Sequence, residues 1–279
     1  MCRWLAYAGE PIRASELLLH TRHSLVAQSL DSPLGAETVN GDGFGFGWYP
    51  EGGSRTTPGI FRSIEPAWND QNLREIASAV TTPLFFSHVR AAAGPPIQQT
   101  NCHPFRHENW LFMHNGVVAQ FGEVKRDLTF AVDPALYPQI HGTTDSEVLF
   151  HLALTYGLRD DPVAAMERAI RKVEKVGHDH GVQFPMQGTV AVTDGAAIWA
   201  FRYSSQGQSR TLFHSADITA LRQKYPDVER LQLFGQHAHV VVSEPLNDLL
   251  GAFIEVPEST AVVLDESGYH HRSFLAEAA

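Results

Sequence analysis

The sequence predicts an α+β fold in which helices cover mainly antiparallel sheets, and a two-sheet core between helical layers fits this pattern. Its strand-like runs are joined by short turn sequences, and hairpin connections of this kind produce antiparallel sheets. The clearest helical patterns are few and two of them are adjacent in the chain, which favours helical layers packed on the sheets. Because no repeat or linker-like segment divides the chain, residues 1–279 are expected to form a single domain.

The strand candidates follow one another along the chain, several of them as hairpin pairs. Asp194-Gly195 and Ser267-Gly268 are dipeptides typical of the turns that join such pairs. The candidates are GFGFGWY and IFRSI around the turn-rich loop 50–59, PLFFSHVRA at 83–91, WLFMHNGVV at 110–118, TVAVTD with AAIWAFRY, HVVVSE at 239–244, and TAVVLD with YHHRSF.

Three segments carry apolar residues at helical spacing. The first is ASELLLHTRHSLVAQSL, which is expected to form one helix. The second, TDSEVLFHLALTYGL, begins with a predicted capping box of Thr144 and Glu147. The third, DPVAAMERAIRKVEKVG, begins with Asp161 as the cap and Pro162 in the first turn.

The composition excludes several functional classes. A net charge of −10 without any basic cluster argues against binding to nucleic acid or to an anionic membrane. No apolar run approaches the roughly 20 residues of a membrane span, and the first residues do not resemble a secretory signal. Two cysteines in 279 residues favour a reducing, cytoplasmic environment. The 15 histidines include no recognisable metal motif, so neither a metal nor a cofactor is expected.

One of the two cysteines is the second residue of the chain. If Met1 is removed, Cys2 carries both a thiol and a free α-amine, and a terminal amine has a pKa near 8. Such an amine can accept the thiol proton, which is the chemistry of N-terminal nucleophiles. The alternative is a buried structural thiol, since free cysteine is among the most buried residue types. A protease pair of Cys102 and His103 is disfavoured because adjacent residues rarely face each other.

Three further stretches contain groups suited to binding an amide substrate. In FFSHVRAAAG, Arg90 is able to hold a carboxylate or to form an ordinary surface ion pair. The dipeptide Asn115-Gly116 after an apolar run is either an oxyanion hole or a tight hairpin turn. In HGTTDSEVLFHL, Asp145 either holds a cationic amine or stabilises the first turn of a helix.

Taken together, these stretches resemble the class II glutamine amidotransferases, which are N-terminal-nucleophile (Ntn) hydrolases with an αββα sandwich. The resemblance rests on Cys-Arg near the N-terminus and, in order, on DGFGFGWY, HVRAA, NCHPF, HNG and TTDSE. It covers about the first 150 residues by motif, and the later SEPL resembles a stand-alone branch that includes ergothioneine-pathway γ-glutamyl amidohydrolases.

The resemblance implies a role for each residue. Cys2 would be the nucleophile, and Asn115 with the Gly116 backbone N–H would form the oxyanion hole. The implied remaining roles are substrate binding for Arg90, Asp145 and His88, and support of the site from behind for Asp42 and His103. The implied substrate is glutamine or a γ-glutamyl amide, cleaved through a thioester.

Two other functions remain open at this point. A separate synthase could accept the ammonia, which would make the chain the glutaminase subunit of an amidotransferase complex. Alternatively, the chain could bind γ-glutamyl compounds without turning them over.

Overall fold

The computed structural model describes residues 2–31, 39–50, 57–92 and 94–275. Within these residues the strands are β1 (Arg3–Arg13), β2 (Phe44–Trp48), β3 (Gly59–Ser63), β4 (Thr81–Val89), β5 (Phe105–His107), β6 (Trp110–Val118), β7 (Met186–Thr193), β8 (Ile198–Ser204), β9 (Phe213–Ser215), β10 (His239–Val242), β11 (Phe253–Glu255), β12 (Thr260–Asp265) and β13 (Gly268–Ser273). The α-helices are α1 (Ser15–Leu18), α2 (Leu25–Leu30), α3 (Gln71–Ala79), α4 (Phe121–Phe130), α5 (Asp145–Thr155), α6 (Pro162–Asp179) and α7 (Ile218–Lys224).

The strands form two sheets in which neighbouring strands run antiparallel. The first sheet has the order β11-β9-β10-β1-β4-β2-β3, and the second has the order β13-β12-β8-β7-β6-β5. The predicted hairpins β2–β3, β7–β8 and β12–β13 are all present. Part of the loop predicted at 50–59 lies outside the described residues.

Side chains alternate between the two faces of each strand, and this alternation shows which face of each sheet packs against helices and which packs against the other sheet. In β1, Leu5 and Tyr7 pack in a core shared with helices α1, α2, α3 and α7. Trp4 and Ala6 point the other way, into a core shared with the second sheet. Helices α4, α5 and α6 pack on the outer face of that second sheet. The predicted four-layer αββα sandwich is therefore confirmed.

The GFGFG sequence of β2 is explained by what lies on each face of the strand. Phe44 and Phe46 are buried on the helix side. A Cβ atom on Gly45 would lie 2.0 Å from the carbonyl oxygen of His103, and one on Gly47 would lie 2.9 Å from the Pro104 ring. The glycines thus allow the segment that carries His103 to lie directly against the strand.

The structure differs from the predicted helices in three ways. The helix expected over 14–30 is divided into α1 and α2, because the Ser24 side chain caps a new helix by accepting from the Ala27 N–H. Only half of the predicted capping box forms: Thr144 accepts from Glu147 N–H, but the Glu147 carboxylate accepts from His141 and Gly142. Helices α3, α4 and α7 were not predicted.

No helix in the described part of the chain is long and apolar enough to cross a membrane.

Candidate active site

The start of the chain is anchored by buried polar contacts. Arg3 and Glu244 form an ion pair in which both side chains are almost completely buried. The next residue, Trp4, donates its backbone N–H to Ser243 Oγ at 2.9 Å. Its indole Nε1 also donates to Thr189 Oγ1 on the opposite sheet at 3.1 Å. These contacts hold Cys2 at the edge of the space between the two sheets.

The Cys2 thiol lies against the segment that follows β4. Its Sγ atom is 3.4 Å from the backbone nitrogen of Ala91, which donates to it, and 3.5 Å from the Ala91 oxygen. Burial raises the pKa of the Cys2 thiol, and the Ala91 hydrogen bond and the charges of Arg90 and Arg3 offset this only in part. The thiol therefore keeps its proton at neutral pH, and a base must remove it before it attacks a carbonyl.

The Asn115 side chain reaches Cys2 from the second sheet. Residues 115 and 116 do not form a turn, because β6 continues through them and pairs with Thr189 and Gly188 of β7. Asn115 shares the inner face of β6 with Leu111 and Met113. Its Nδ2 donates to the Cys2 carbonyl oxygen at 2.9 Å. An amide nitrogen carries two protons, so a second N–H of Asn115 remains without a described acceptor.

His88 determines which way the Asn115 amide points. Its Nε2 lies 3.0 Å from Asn115 Oδ1, and the ring is completely buried. Burial lowers the pKa of His88 to about 3, so the ring is neutral at physiological pH. Because Oδ1 can only accept, the Nε2 proton must be the one donated. The amide nitrogen of Asn115 is thereby directed towards Cys2.

His103 lies behind His88 and does not contact the thiol directly. The two rings are 4.3 Å apart between centroids, and Phe105 packs on the other side of His103 at 4.5 Å. Burial lowers the pKa of His103 well below its ordinary value, and the adjacent His88 ring, by electrostatic repulsion between the protonated forms, lowers it further. His103 is consequently a neutral packing partner of His88.

Arg90 and Asp42 organise the loop on the β4 side of Cys2. The Arg90 guanidinium is buried and donates to the backbone oxygens of Pro95 at 3.2 Å and of Pro96 at 3.3 Å. The Asp42 carboxylate accepts from the Ala92 N–H at 2.7 Å. Asp42 therefore supports the segment that contacts the thiol, and it does not touch Cys2 directly.

Gly116 and Asp145 lie at the junction of β6 with α5. A Cβ on Gly116 would be 2.1 Å from Gln187 O and 2.4 Å from His114 Nε2, so only glycine fits there. Asp145 Oδ2 accepts from the Val118 N–H at 2.8 Å, which joins the end of β6 to the first turn of α5. Among the described contacts, the Asp145 carboxylate touches neither Cys2 nor Arg90.

A small cavity adjoins the thiol and the Asn115 amide. Its volume is about 150 Å³, and its walls are Cys2, Arg3, Asn115, Ser209, Arg210, Thr211 and Ser243. Within the described ranges, no group of three or more histidine, cysteine, aspartate or glutamate side chains is placed to hold a metal ion. The available chemistry is thus a cysteine thiol and an amide side chain on residues that line the same small cavity.

The sequence comparison decides the family. Residues 15–248 match the family model of the class II glutamine amidotransferases. The chain belongs to this family. The matched range contains Arg90, Asn115 and Asp145 and begins after Cys2.

Relatives of this class II amidotransferase include proteins with amidotransferase and hydrolase names. It is 33% identical to the probable glutamine amidotransferase DUG3 of Saccharomyces cerevisiae, over 95% of this chain and 82% of the yeast protein. It is 31% identical to the gamma-glutamyl-hercynylcysteine sulfoxide hydrolase of Mycobacterium tuberculosis, over 57% of this chain and 62% of that protein.

Solved structures agree with the Ntn-type fold of the amidotransferase. A class II domain protein from Silicibacter pomeroyi is 31% identical and superimposes with a TM-score of 0.74 over the full length of both chains. The glutamine phosphoribosylpyrophosphate amidotransferase of B. subtilis shares only 16% identity, with a TM-score of 0.65 over 99% of this chain and 50% of that one. The latter likeness concerns the fold alone.

Three residues around the candidate site were not found from the sequence. They are Glu244, which pairs with Arg3, Ser243, which binds Trp4, and Arg210, which lines the cavity. For Glu244 the sequence contained an indication, because an arginine in a buried N-terminal strand needs a carboxylate partner. The motif SEPL offered such a carboxylate, but nothing in it indicated a partner so distant in sequence.

Replacing His88 by phenylalanine is expected to lower kcat by about 10- to 100-fold, because the Asn115 amide loses the donor that orients it. KM for the amide substrate should change much less, since the substituted ring is completely buried and its described partner is Asn115. Steady-state kinetics measures both constants. His88→Gln supplies an N–H again and should recover part of kcat, whereas equal losses in both variants would contradict this positioning role.

Proposed function

We propose that this amidotransferase hydrolyses the γ-amide of glutamine or of a γ-glutamyl compound, with Cys2 as the nucleophile. The observation that carries the proposal is the 2.9 Å hydrogen bond from Asn115 Nδ2 to the Cys2 carbonyl oxygen. This hydrogen bond joins Asn115 to Cys2, and both residues line the same cavity, which supports a shared role. Membership of an amide-cleaving family supports the same reaction class.

The general base in this mechanism is the α-amine of Cys2 after Met1 has been removed. A terminal amine with a pKa near 8 is partly neutral at physiological pH and can take the thiol proton. A base is needed because burial raises the pKa of the thiol. No described side chain within hydrogen-bond distance of Sγ can serve, since the contacts of Sγ are to the Ala91 backbone.

The acylation step forms one bond and breaks another. Sγ attacks the γ-carbonyl carbon, its proton moves to the α-amine, and the carbonyl oxygen becomes an oxyanion. The second N–H of Asn115 and the backbone N–H of Gly116 stabilise this oxyanion. When the C–N bond breaks, the α-ammonium returns the proton to the departing amine, which leaves a γ-glutamyl thioester on Cys2.

Hydrolysis of the thioester completes the cycle. The α-amine accepts a proton from water, the resulting hydroxide adds to the thioester carbonyl, and the C–S bond breaks. Glutamate is released and the thiol regains its proton. The same oxyanion donors serve both halves of the reaction because the charge develops on the same oxygen.

Arg90 and Asp145 are proposed to bind the α-carboxylate and the α-ammonium of the glutamyl group. Arg90 has five N–H donors, and its described contacts are to backbone oxygens, so it retains a full positive charge for a carboxylate. Asp145 is partly exposed at the start of α5 and keeps acceptor capacity beyond its bonds to Val118 and Ser146. The predicted contact of His88 with substrate remains a prediction, although its described partner is Asn115.

Glutamate release tests the proposal. Protein whose Met1 is shown by mass spectrometry to be absent should release glutamate from glutamine or from at least one of several γ-glutamyl amides. A stimulated glutaminase rate with an added synthase would identify the ammonia-delivering alternative. Binding of these compounds without any glutamate release would instead identify a non-catalytic binding protein and contradict the proposal.

A further inference from the structure

The cavity beside Cys2 lies on the opposite side of the thiol from Arg90. Strand β1 has β10 on one side and β4 on the other. Ser243, which lines the cavity, follows β10, whereas Arg90 follows β4. Ser209, Arg210 and Thr211 complete the wall on the β10 side. A substrate whose glutamyl end is held by Arg90 and whose carbonyl meets Cys2 would therefore direct its amine half towards this cavity.

The wall formed by residues 209–211 is held in place by hydrogen bonds. Thr211 Oγ1 donates to the backbone oxygen of Ser243 at 2.9 Å. The backbone N–H of Ser209 donates to Glu258 Oε2 at 3.0 Å, and the Ser209 hydroxyl contacts the same carboxylate. The segment is thus attached both to the end of β10 and to the residues before β12. The backbone that carries Arg210 is ordered before any ligand binds.

Arg210 is the cation of this wall whose charge is not compensated. Its guanidinium makes no hydrogen bond or ion pair with any residue in the part of the chain that the structure describes, and its side chain is partly exposed. Arg3, the other cation of the wall, is paired with Glu244. The nearby carboxylate of Glu258 is engaged by Ser209 and lies 3.6 Å from Arg202. Of the described residues that line the cavity, the charged ones are Arg3, which is paired, and Arg210, which is not.

The size of the cavity also exceeds what the smallest leaving group needs. Its volume of about 150 Å³ corresponds to roughly five water molecules. Ammonia, which leaves from glutamine, is no larger than one water molecule and carries no group for a guanidinium to bind. An amine that bears a carboxylate, such as an amino acid or the amino end of a short peptide, fits both the space and the charge.

We infer that this cavity binds the leaving amine of the substrate and that Arg210 binds a carboxylate on it. The substrate class is then a γ-glutamyl amino acid or γ-glutamyl peptide, for which Arg210 determines specificity. This inference rests on the proposed function, because it needs the glutamyl group on the Arg90 side and the scissile carbonyl at Cys2. It adds the chemistry of the half of the substrate that departs.

Two substrates that differ only in one charge test the assignment. γ-Glutamylglycine carries a carboxylate on the leaving amine, and γ-glutamylglycinamide carries a neutral amide in its place. The wild-type protein is expected to favour γ-glutamylglycine in kcat/KM by about 10- to 100-fold, as for loss of a charged hydrogen bond. In Arg210→Ala this preference should disappear through a higher KM for γ-glutamylglycine, while glutamine hydrolysis stays within about twofold.

Two further variants make the test specific. Arg210→Lys keeps the charge without the planar fork and should retain part of the preference. Arg272→Ala removes an exposed arginine on the edge strand β13 and should leave the preference unchanged. If Arg210→Ala folded poorly, Arg210→Gln would remove the charge with less change of shape.

The possible outcomes separate the two proposals. Equal losses for both glycine compounds in Arg210→Ala, or no preference in the wild-type protein, would overturn the role of Arg210. Hydrolysis of glutamine in the same experiment would still support the proposed function. If wild-type protein without Met1 released glutamate neither from these three compounds nor from the other γ-glutamyl amides, the proposed function would fail and the leaving-group site would fail with it.

Discussion

Cys2→Ala is expected to abolish glutamate release from glutamine and from every γ-glutamyl amide, with a loss on the order of 10⁶ in kcat as for other covalent nucleophiles. The substitution removes only Sγ. Sγ contacts the Ala91 backbone at the edge of the site, so the fold should keep its melting temperature within a few degrees. Glutamate release and thermal unfolding measure the two effects separately.

The second cysteine provides the matched control. Cys102 is completely buried, and its Sγ contacts the backbone oxygens of Ser63 and Gln98. Cys102→Ala should therefore keep wild-type turnover and alter stability alone. Mass spectrometry of rapidly quenched wild-type protein should find a glutamyl adduct on the peptide that contains Cys2. Undiminished turnover by Cys2→Ala would exclude the thioester mechanism.

Asn115→Ala is expected to lower kcat by about 10²–10³, the usual cost of losing one oxyanion donor. KM should change by less than about threefold, because the donor acts mainly on the charge that develops in the transition state. The variant also leaves the buried Nε2–H of His88 without its acceptor. For that reason the free energy of unfolding should fall by about 1–3 kcal/mol.

Asn109→Ala is a suitable control for the Asn115 experiment. Asn109 precedes the same strand, and its Nδ2 donates to the Asp194 oxygen at 2.9 Å, at the hairpin between β7 and β8. Its loss removes one side-chain hydrogen bond without touching Cys2, so kcat should remain unchanged. Measurements of kcat, KM and denaturant unfolding on both variants separate the two effects. An Asn115→Ala variant with nearly normal kcat would show that another group stabilises the oxyanion.

The face on which each site residue lies follows from strand periodicity once the strands are known. Alternation along WLFMHNGVV puts Asn115 on the same side as Leu111 and Met113, which is the side that the structure buries between the sheets. The same argument puts His88 on the inner face of β4 with Phe86. What alternation could not supply is the offset between the two sheets, on which the meeting of Asn115 and Cys2 depends.

For the Asn115-Gly116 dipeptide a tight turn was one of two alternatives, and the structure shows a continuous strand there. As an isolated dipeptide it favours a tight turn, but β6 continues through it because β7 supplies a complete set of pairing partners. Gly116 is needed for a different reason than a turn. The His114 ring and the backbone of Gln187 occupy the space that a side chain would require. Tertiary packing thus overrides the local preference.

By itself, the sequence determined the α+β class and the hairpin pairs, because these depend on local spacing and residue chemistry. Through the family resemblance of its motifs it also indicated the sandwich architecture and the candidate residues of an amide-cleaving site. Only the tertiary structure decided that Asn115 meets Cys2, that His88 orients the amide and that Glu244 anchors the N-terminus through Arg3. Such contacts join residues that lie 27 to 241 positions apart along the chain. These contacts depend on how the two sheets stack and on which buried charges must be paired. A local stretch of sequence specifies neither the stacking nor the pairing.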